Sequence, residues 1–213
     1  MQTCCPPPGA EVFTEKLAHR DAKRFRRRGF DPTARRLVEL VSPPGPSVLE
    51  IGGGVGGIQI ELLRAGAERA TNVELSPAYE PAAEELLAEA GLAERVERRV
   101  ADFLEVRETI EPAEIVVMHR VVCCSPDMPA LVGAAADKTR RALALSFPRE
   151  TWWMRVGAVA INLWSRISRK EFRFFVYHAT EIASVAERHG LSHTHDSEGR
   201  AWHVAAFERF QAG

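Results

Sequence analysis

Apolar positions along the chain follow two patterns: short continuous runs, and longer stretches in which apolar residues recur every three or four positions. Short runs bounded by glycine or proline are typical of buried strands, and the longer pattern is typical of amphipathic helices. The predicted strands are Ser47–Ile51, Ala70–Leu75, Val96–Ala101, Glu114–Val122 and Arg141–Phe147. The helices predicted between them are Gly56–Ala65, Pro77–Ala90 and Met128–Thr139. This alternation predicts a parallel sheet covered by helices on both faces.

The N-terminal part of the chain precedes this alternation. Residues 1–10, which contain three consecutive prolines, are expected to form a flexible tail. The pattern predicts a basic helix over Glu11–Arg28 that ends at Gly29. A second helix is predicted to follow, with Asp31 as its N-cap and Pro32 in its first turn. We therefore expect a helical cap ahead of the sheet.

The C-terminal part departs from the alternation. After a helix predicted at Thr180–His189, the strand patterns Leu191–Asp196 and Ala201–Phe210 flank the turn-like sequence Ser197–Arg200. Two strands joined in this way form an antiparallel hairpin. The predicted fold class is thus α/β, a Rossmann-like seven-stranded sheet with helices on both faces, an N-terminal helical cap and a terminal antiparallel hairpin.

Composition adds limits on size and class. The chain has 213 residues, 46% of them hydrophobic and 27% charged, which is enough for one core, and we expect one domain over 11–213. Its predicted parts are a cap (11–46), a cofactor-binding core (47–148), an insert that roofs the substrate site (149–178), and a terminal helix with hairpin (179–213). The formal net charge of −1 argues against a general nucleic-acid binder.

The cysteines and the absence of a secretory pattern bear on compartment. Four cysteines form two adjacent pairs, Cys4-Cys5 and Cys123-Cys124, which lack the spacing of a disulfide framework or a zinc site. No metal is therefore expected. No early apolar segment follows a basic start, so a cytoplasmic location is expected. The longest apolar stretch, Val156–Trp164, is too short to span a bilayer.

The most informative segment is the glycine run after the first predicted strand. Glycines there let a nucleoside-containing ligand lie directly against the main chain. The run fits two templates. Gly52-x-Gly54-x-x-Gly57, with Glu74 at the end of the second strand, fits the dinucleotide fingerprint of NAD(P)-dependent oxidoreductases. Glu50-x-Gly52-x-Gly54-x-Gly56 resembles the first motif of class I S-adenosylmethionine-dependent methyltransferases.

Further features favour the methyltransferase family. The segment Val100-Ala101-Asp102-Phe103 resembles the family's adenine-binding corner, two helices precede the first strand, and the terminal hairpin matches the family's antiparallel seventh strand. The resemblance covers about Ser47 to Phe210 and implies S-adenosylmethionine as cofactor. It implies Glu50 near the methionine amino group, Gly52, Gly54 and Gly56 along the cofactor, Glu74 on the ribose hydroxyls, Asp102 on adenine, and Phe103 beside the ring.

The fourth-strand motif carries the candidate catalytic residue. His119 lies at the carboxyl end of that strand, where open α/β sheets bind ligands, and is the leading candidate base as well as a candidate cofactor contact. A packed strand histidine is an equally good interpretation. The segment departs from the family pattern because Arg120 replaces an acid or asparagine and Cys124 replaces histidine. His178 is a second candidate base.

The insert after the fifth strand carries three tryptophans. Thr151–Ile167 is predicted to be a helix whose apolar stripe packs, for most of its length, in the core. Its tryptophans suit a large apolar substrate or contact with a membrane interface. The basic N-terminal helix and this apolar helix loosely resemble magnesium-protoporphyrin O-methyltransferases. The candidate substrate residues are Arg120, Cys124, Arg149 and Trp153.

Together these patterns predict methyl transfer from S-adenosylmethionine to a small, apolar or aromatic molecule, with oxygen as the expected acceptor atom. Two alternatives remain open at this point. One is an NAD(P)-dependent oxidoreductase. The other is a non-catalytic S-adenosylmethionine-binding protein of the same fold, which the unusual fourth-strand motif allows. The sequence leaves the acceptor and the oligomeric state undetermined.

Overall fold

The structure, a computed structural model, describes residues 9–210. The predicted tail lies mostly outside this range, as does the Cys4-Cys5 pair, but Gly9 and Ala10 are buried and so belong to the packed part of the chain. Eight α-helices were identified within the described range. They are α1 (Glu15–Arg28), α2 (Pro32–Val41), α3 (Gly57–Arg64), α4 (Glu80–Ala90), α5 (Phe103–Val106), α6 (Met128–Asp137), α7 (Trp152–Ile167) and α8 (Ala179–Arg188).

A single seven-stranded sheet forms the centre of the molecule, in the order β3-β2-β1-β4-β5-β7-β6. Strands β1 to β5 run parallel, whereas β7 is antiparallel to both β5 and β6, which confirms the predicted terminal hairpin. The strands are β1 (Ser47–Ile51), β2 (Arg69–Glu74), β3 (Val96–Val100), β4 (Ala113–His119), β5 (Thr139–Pro148), β6 (Ser192–Glu198) and β7 (Trp202–Glu208).

Successive residues of the central strands supply two separate cores. Val48 and Ile115 face a cluster made with α1 to α4, whereas their neighbours Leu49 and Val116 face a cluster made with α5, α6 and α8. Because side chains alternate across a strand, a fully buried strand must be apolar on both faces. The sheet therefore has helices on both sides, as predicted.

The cap confirms the local signals at the ends of its helices. Asp31 is the N-cap of α2, where its Oδ1 accepts hydrogen bonds from the backbone N–H groups of Thr33 (3.0 Å) and Ala34 (3.2 Å). The first helix begins at Glu15 rather than Glu11, because Thr14 caps it and a short 3₁₀ turn occupies Ala10–Val12. Proline in the first turn and an aspartate cap together fix where α2 begins.

Two further predicted boundaries are wrong. β4 ends at His119, three residues early, because Arg120 has a left-handed backbone (φ 62°) and a 3₁₀ turn follows it. The hairpin turn is shorter than predicted, because β6 continues through Glu198 and β7 begins at Trp202. A positive φ at a residue other than glycine cannot be predicted from periodicity, since it depends on contacts elsewhere in the fold.

The burial of the cap predicts that it contributes to global stability. Leu37 of α2 is completely buried in the core on the α1–α4 side of the sheet. Leu37→Ala should lower the free energy of unfolding by about 2–5 kcal/mol, because a cavity remains. Leu163→Ala on α7 is the matched control and should have little effect, since Leu163 is 56% exposed. Chemical denaturation measures both. A loss below about 1 kcal/mol for Leu37→Ala would mean that the cap is not part of the cooperative core.

Candidate active site

The loop between β1 and α3 is shaped by the absence of side chains. Gly52, Gly54 and Gly56 have positive φ angles of 66°, 54° and 79°. A Cβ at Gly52 would lie 2.5 Å from a methyl carbon of Val121, and one at Gly53 only 2.0 Å from the side-chain nitrogen of Asn72. Because both distances are far shorter than any real carbon contact, the loop needs glycine for conformation and for space.

A cavity of about 370 Å³ lies over this loop, between the carboxyl ends of β1, β2 and β4 and the N-terminal cap. The order of the sheet reverses between β1 and β4, and open α/β sheets bind ligands at that position. The predicted site residues that line the cavity come from all three strand ends and the loops after them. They are Glu50, Gly52, Gly54, Glu74, His119, Arg120 and Cys124.

Two carboxylates face the cavity from β1 and β2. Glu50 is buried, and its Oε2 accepts a hydrogen bond from the backbone N–H of Gln59 (3.1 Å). Burial raises the pKa of Glu50 to about 8, although the Gln59 N–H and the positive charge of Arg98 oppose the shift. Glu50 is therefore mostly protonated at neutral pH when no positive group lies beside it.

Glu74 is held by the glycine loop itself. Its two carboxylate oxygens accept hydrogen bonds from the backbone N–H groups of Gly54 (2.8 Å) and Ser76 (3.0 Å). Burial raises the pKa of Glu74, while these two N–H groups act in the opposite direction. Glu74 thus fixes the loop and still presents carboxylate oxygens to the cavity.

His119 and Arg120 are joined to the cap through Asp31. The Asp31 Oδ2 lies 3.1 Å from an Arg120 guanidinium nitrogen and 3.5 Å from His119 Nε2. Burial acts to raise the pKa of Asp31, but the hydrogen bond from His119 and the charge of Arg120 outweigh it, so that the pKa is lowered. The guanidinium of Arg120 also lies over the ring of Trp202, 4.5 Å from its centroid.

Both ring nitrogens of His119 have partners. Nδ1 lies 2.9 Å from Oγ of Ser146, which also accepts a hydrogen bond from the backbone N–H of Arg120 (3.1 Å). The tautomer that satisfies every group has Ser146 donating to Nδ1 and Nε2–H facing Asp31. Burial lowers the pKa of His119, so the imidazole is neutral at pH 7.

Two further hydrogen bonds tie the cap to the segment that follows β2. The Tyr79 hydroxyl donates to a carboxylate oxygen of Asp21 on α1 (3.3 Å), and the Ser76 hydroxyl donates to the carbonyl of Phe13 (2.8 Å). With the Asp31 contacts, these bonds close the cap over the glycine loop. Any ligand that lies on the loop is consequently covered by the cap.

Three of the predicted cofactor residues do not line the cavity. Gly56 is the N-cap of α3. Asp102 accepts a hydrogen bond from the backbone N–H of Leu104 (2.8 Å) and caps α5. Phe103 is buried in the core on the α5–α8 side. The roles predicted for Asp102 and Phe103 beside adenine stay predictions.

The residues predicted in the insert lie elsewhere. Arg149 pairs with Glu198 of the hairpin, His178 Nδ1 lies 2.5 Å from a carboxylate oxygen of Glu150, and Trp153 is largely exposed on α7. None of these three lines the cavity. The expectation that the α7 stripe packs in the core is wrong, because within this helix only Ala158 and Ser165 are buried.

The cap residues beside the cavity, and Tyr79 after β2, carry no signal for this role in the local sequence pattern. Asp31 was predicted only as a helix cap, and Asp21 and Tyr79 were not singled out. Asp31 precedes α2 in the chain but contacts residues at the end of β4, 88 and 89 positions later. One carboxylate oxygen is sufficient for a helix cap. The contacts of the other oxygen depend on how the cap packs on the sheet and cannot be predicted from the local sequence.

The vicinal cysteines face the site from its edge. Cys123 is buried and Cys124 lines the cavity. Their sulfur atoms lie 3.8 Å apart, and both thiols are free of a disulfide. The hydrogen bond with Cys124 and burial raise the pKa of the Cys123 thiol, so it is not a ready nucleophile. Within residues 9–210, no group of three or more His, Cys, Asp or Glu side chains is placed to hold a metal ion.

An open α/β sheet with a glycine loop at its switch point is the arrangement of a domain that binds a nucleoside-containing cofactor. A family model described as "Methyltransferase domain" matches residues 18–196, which is more than half of the chain. The protein therefore belongs to this methyltransferase family, and the prediction of a class I S-adenosylmethionine-dependent enzyme is confirmed. The family decides between the two glycine templates and removes the oxidoreductase alternative.

Solved structures of the same fold extend the comparison. The magnesium protoporphyrin IX methyltransferase from Synechocystis PCC 6803, with bound SAH, has 17% identity and a TM-score of 0.70 over 94% of this chain and 99% of its own. An O-methyltransferase family protein from Burkholderia thailandensis has 17% identity and a TM-score of 0.71 over 96% of this chain and 60% of its own. At such identity these likenesses show the fold alone. No curated protein sequence matched significantly.

The steric requirement at Gly53 gives a test of the site. Its backbone φ is not in the left-handed region, so alanine there adds only a methyl group, 2.0 Å from Asn72 and 2.7 Å from the Glu50 carboxyl carbon. Gly53→Ala should displace both side chains and weaken S-adenosylhomocysteine binding by about tenfold or more. Calorimetric titration measures the affinity.

The control for this variant is Gly157→Ala, because a Cβ at Gly157 meets nothing within 4 Å. Its affinity for S-adenosylhomocysteine should equal that of the unsubstituted protein. Equal affinities for both variants would mean that the loop does not contact the ligand in the way that its geometry indicates.

Proposed function

We propose that this protein transfers a methyl group from S-adenosylmethionine to a small, apolar or aromatic molecule, and that the acceptor atom is oxygen. The observation that carries the proposal is the shared cavity. The glycine loop and the carboxylates of Glu50 and Glu74 occupy one side of it, and His119 and Arg120 border it from the end of β4.

The residues of the cavity fit the cofactor. The loop offers backbone without side chains, Glu50 offers a buried carboxylate suited to an ammonium group, and Glu74 offers acceptors suited to ribose hydroxyls. The cofactor, when bound, supplies an electrophilic methyl group on a sulfonium. The task left to the chain is to position the acceptor in line with that group and to exclude water, which can provide most of the acceleration.

The cap supports an apolar acceptor. The cap contributes four large apolar side chains to the cavity. Among the described residues, the arginines that line it are each paired with an aspartate of the cap: Arg20 and Arg24 with Asp21, and Arg120 with Asp31. The four apolar side chains are Phe13, Leu17, Phe25 and Phe30. A flat aromatic molecule can pack against such a surface, and each apolar group that is removed from water stabilises the complex.

The end of β4 supports an oxygen acceptor. Arg120 presents a guanidinium that can hold a carboxylate or a phenolate, and a carboxylate acceptor needs no base. For a phenol or an enol, a base must take the proton. His119 is neutral and lies within the cavity wall, but in the tautomer described above its Nε2 already carries the ring proton. It can act as the base only in the other tautomer, in which Nδ1–H donates to Ser146 and the lone pair of Nε2 faces the acceptor instead of Asp31. An anionic acceptor that binds Arg120 competes with the Asp31 carboxylate for the same guanidinium.

The occupied nitrogens of His119 are also the observation that favours the second candidate, a non-catalytic protein that binds S-adenosylmethionine. The two candidates differ in a measurable way. Both require binding of S-adenosylhomocysteine, whereas only the first requires labelled methyl groups to appear on an acceptor. Phenols, enols, quinols and aromatic carboxylic acids are the panel to test.

The role of His119 predicts the effect of its removal. With a phenolic acceptor, His119→Gln should lower kcat by about 100-fold or more, because a positioned base contributes that much, and cofactor affinity should change little. His189→Gln, which alters a half-buried histidine paired with Asp137 away from the cavity, is the control. Unchanged kcat would remove His119 as the base. Binding of S-adenosylhomocysteine without methyl transfer to any acceptor would favour the non-catalytic protein.

The raised pKa of Glu50 predicts linked proton release. Free Glu50 keeps its proton up to about pH 8, and an ammonium group beside it favours the carboxylate. Affinity for S-adenosylhomocysteine should therefore rise with pH between about pH 6 and pH 8, by up to about tenfold per pH unit, as binding releases a proton. Calorimetry in buffers of different ionisation enthalpy measures that proton.

Glu50→Gln should bind with no such pH dependence, whereas Glu61→Gln, at a surface position of α3 paired with Arg64, should keep it. If the unsubstituted protein shows a pH-independent affinity over this range, Glu50 does not hold the amino group of the cofactor.

A further inference from the structure

The most unusual surface of the molecule is α7, which barely contacts the domain that carries it. Of its 16 residues only Ala158 and Ser165 are buried, and both lie on the same side of the helix. The side chain of Asn162, near that side, bonds the backbone of Phe174 through a donated (2.9 Å) and an accepted (2.7 Å) hydrogen bond. The rest of the helix faces away from the protein.

The outward face of α7 is apolar along its whole length. At 100° per residue, seven of its large apolar side chains fill a continuous arc of about 140°, opposite the attached side, whereas Met154 and Ile161 lie outside the arc. The exposed fractions reach 77% for Trp152, 67% for Val159 and 73% for Ile167. The other members of this face are Trp153, Val156, Leu163 and Trp164. An exposed apolar surface of this extent marks a site of association.

Charge identifies the kind of surface that α7 contacts. The segment 151–170 contains no acidic residue, and its four cations stand beside or just beyond the apolar arc. They are Arg155, Arg166, Arg169 and Lys170. Only Arg155 has an acidic partner, Glu150. Lys170 lies over the ring of Trp164, 4.7 Å from its centroid, so that one tryptophan and one cation sit together at the end of the helix.

A second copy of this chain fits the face poorly. In a symmetric dimer the same patch occurs on both partners, so the cations of both helices would gather at one interface, and among the described residues Arg166, Arg169 and Lys170 bring no acidic partner with them. A negatively charged partner with an apolar interior matches both properties of the face.

We propose that α7 binds the surface of an anionic phospholipid bilayer. The helix lies in the plane of the interface, with its apolar arc in the acyl boundary and its cations among the headgroups. Its length of about 24 Å runs along the surface. None of the helices in residues 9–210 is long and apolar enough to cross a membrane, so the contact is peripheral. Tryptophans at both ends suit this position.

Flotation with vesicles tests the proposal on the full chain. Vesicles of phosphatidylcholine with anionic phosphatidylglycerol should bind the protein, and vesicles of phosphatidylcholine alone should bind it at least about tenfold more weakly. Added salt should weaken binding to the anionic vesicles, because the attraction of surface cations is screened. Tryptophan emission should shift to shorter wavelength on binding.

Two sets of variants separate the apolar and the electrostatic contributions. Trp152→Ser with Val159→Ser and Ile167→Ser should abolish vesicle binding and leave the fold intact, since all three side chains are exposed. Arg166→Gln with Arg169→Gln should weaken binding to anionic vesicles by about tenfold or more. Circular dichroism and thermal denaturation check folding.

Matched controls come from other parts of the chain. Phe210→Ser removes an apolar side chain that is 76% exposed, and Arg35→Gln with Arg140→Gln removes two exposed cations. These controls should bind vesicles like the unsubstituted protein. Equal loss in control and test variants, or no binding to anionic vesicles, would overturn the proposal. So would a dimer in analytical ultracentrifugation that the α7 serine variant dissociates, because the face would then be an interface between copies.

Discussion

The close approach of backbone and side chains at the end of β1 is the constraint on which the site depends. Four of the five residues 52–56 are glycine, which allows the chain to turn there against Val121, Asn72 and Tyr79. At Gly53 there is no room for a Cβ. Glu74 holds the turn in place through the backbone N–H of Gly54. The cavity exists because this stretch of main chain has no side chains to fill it.

The cap covers that turn, and Asp31 joins the cap to the end of β4. One oxygen of its carboxylate begins α2, and the other contacts Arg120 and His119 at the end of β4. Hydrogen bonds and the nearby positive charge stabilise the ionised form of this carboxylate over the neutral form. Its pKa is therefore lowered despite burial. The same contact that secures the cap occupies the groups best placed to meet an acceptor.

Helix α7 differs from the other long helices in how little of its surface packs against the rest of the domain. Every other helix of ten or more residues buries a face against the sheet or a neighbouring helix, whereas α7 keeps its apolar arc outside. Its sequence pattern is that of an ordinary amphipathic helix, and a core position was the natural prediction. The sequence signal that distinguishes α7 is its charge: the polar positions beside its apolar face include cations but no acidic residue. Packing in a core does not require charges of a single sign.

Local patterns were sufficient for most of the fold, because strand and helix periods, the Asp31 cap and the glycine run act over a few residues. β1 was predicted to the residue. Glu50, Gly52, Gly54 and Glu74 were predicted as site residues from the family resemblance, and His119 from its place at the carboxyl end of a strand; all five line the cavity. The tertiary structure alone decided which distant residues complete that site. It brought Asp31 to His119 and Arg120, set Asp102, Arg149 and His178 against other partners, and left α7 outside, since such contacts depend on how elements pack and not on any spacing along the chain.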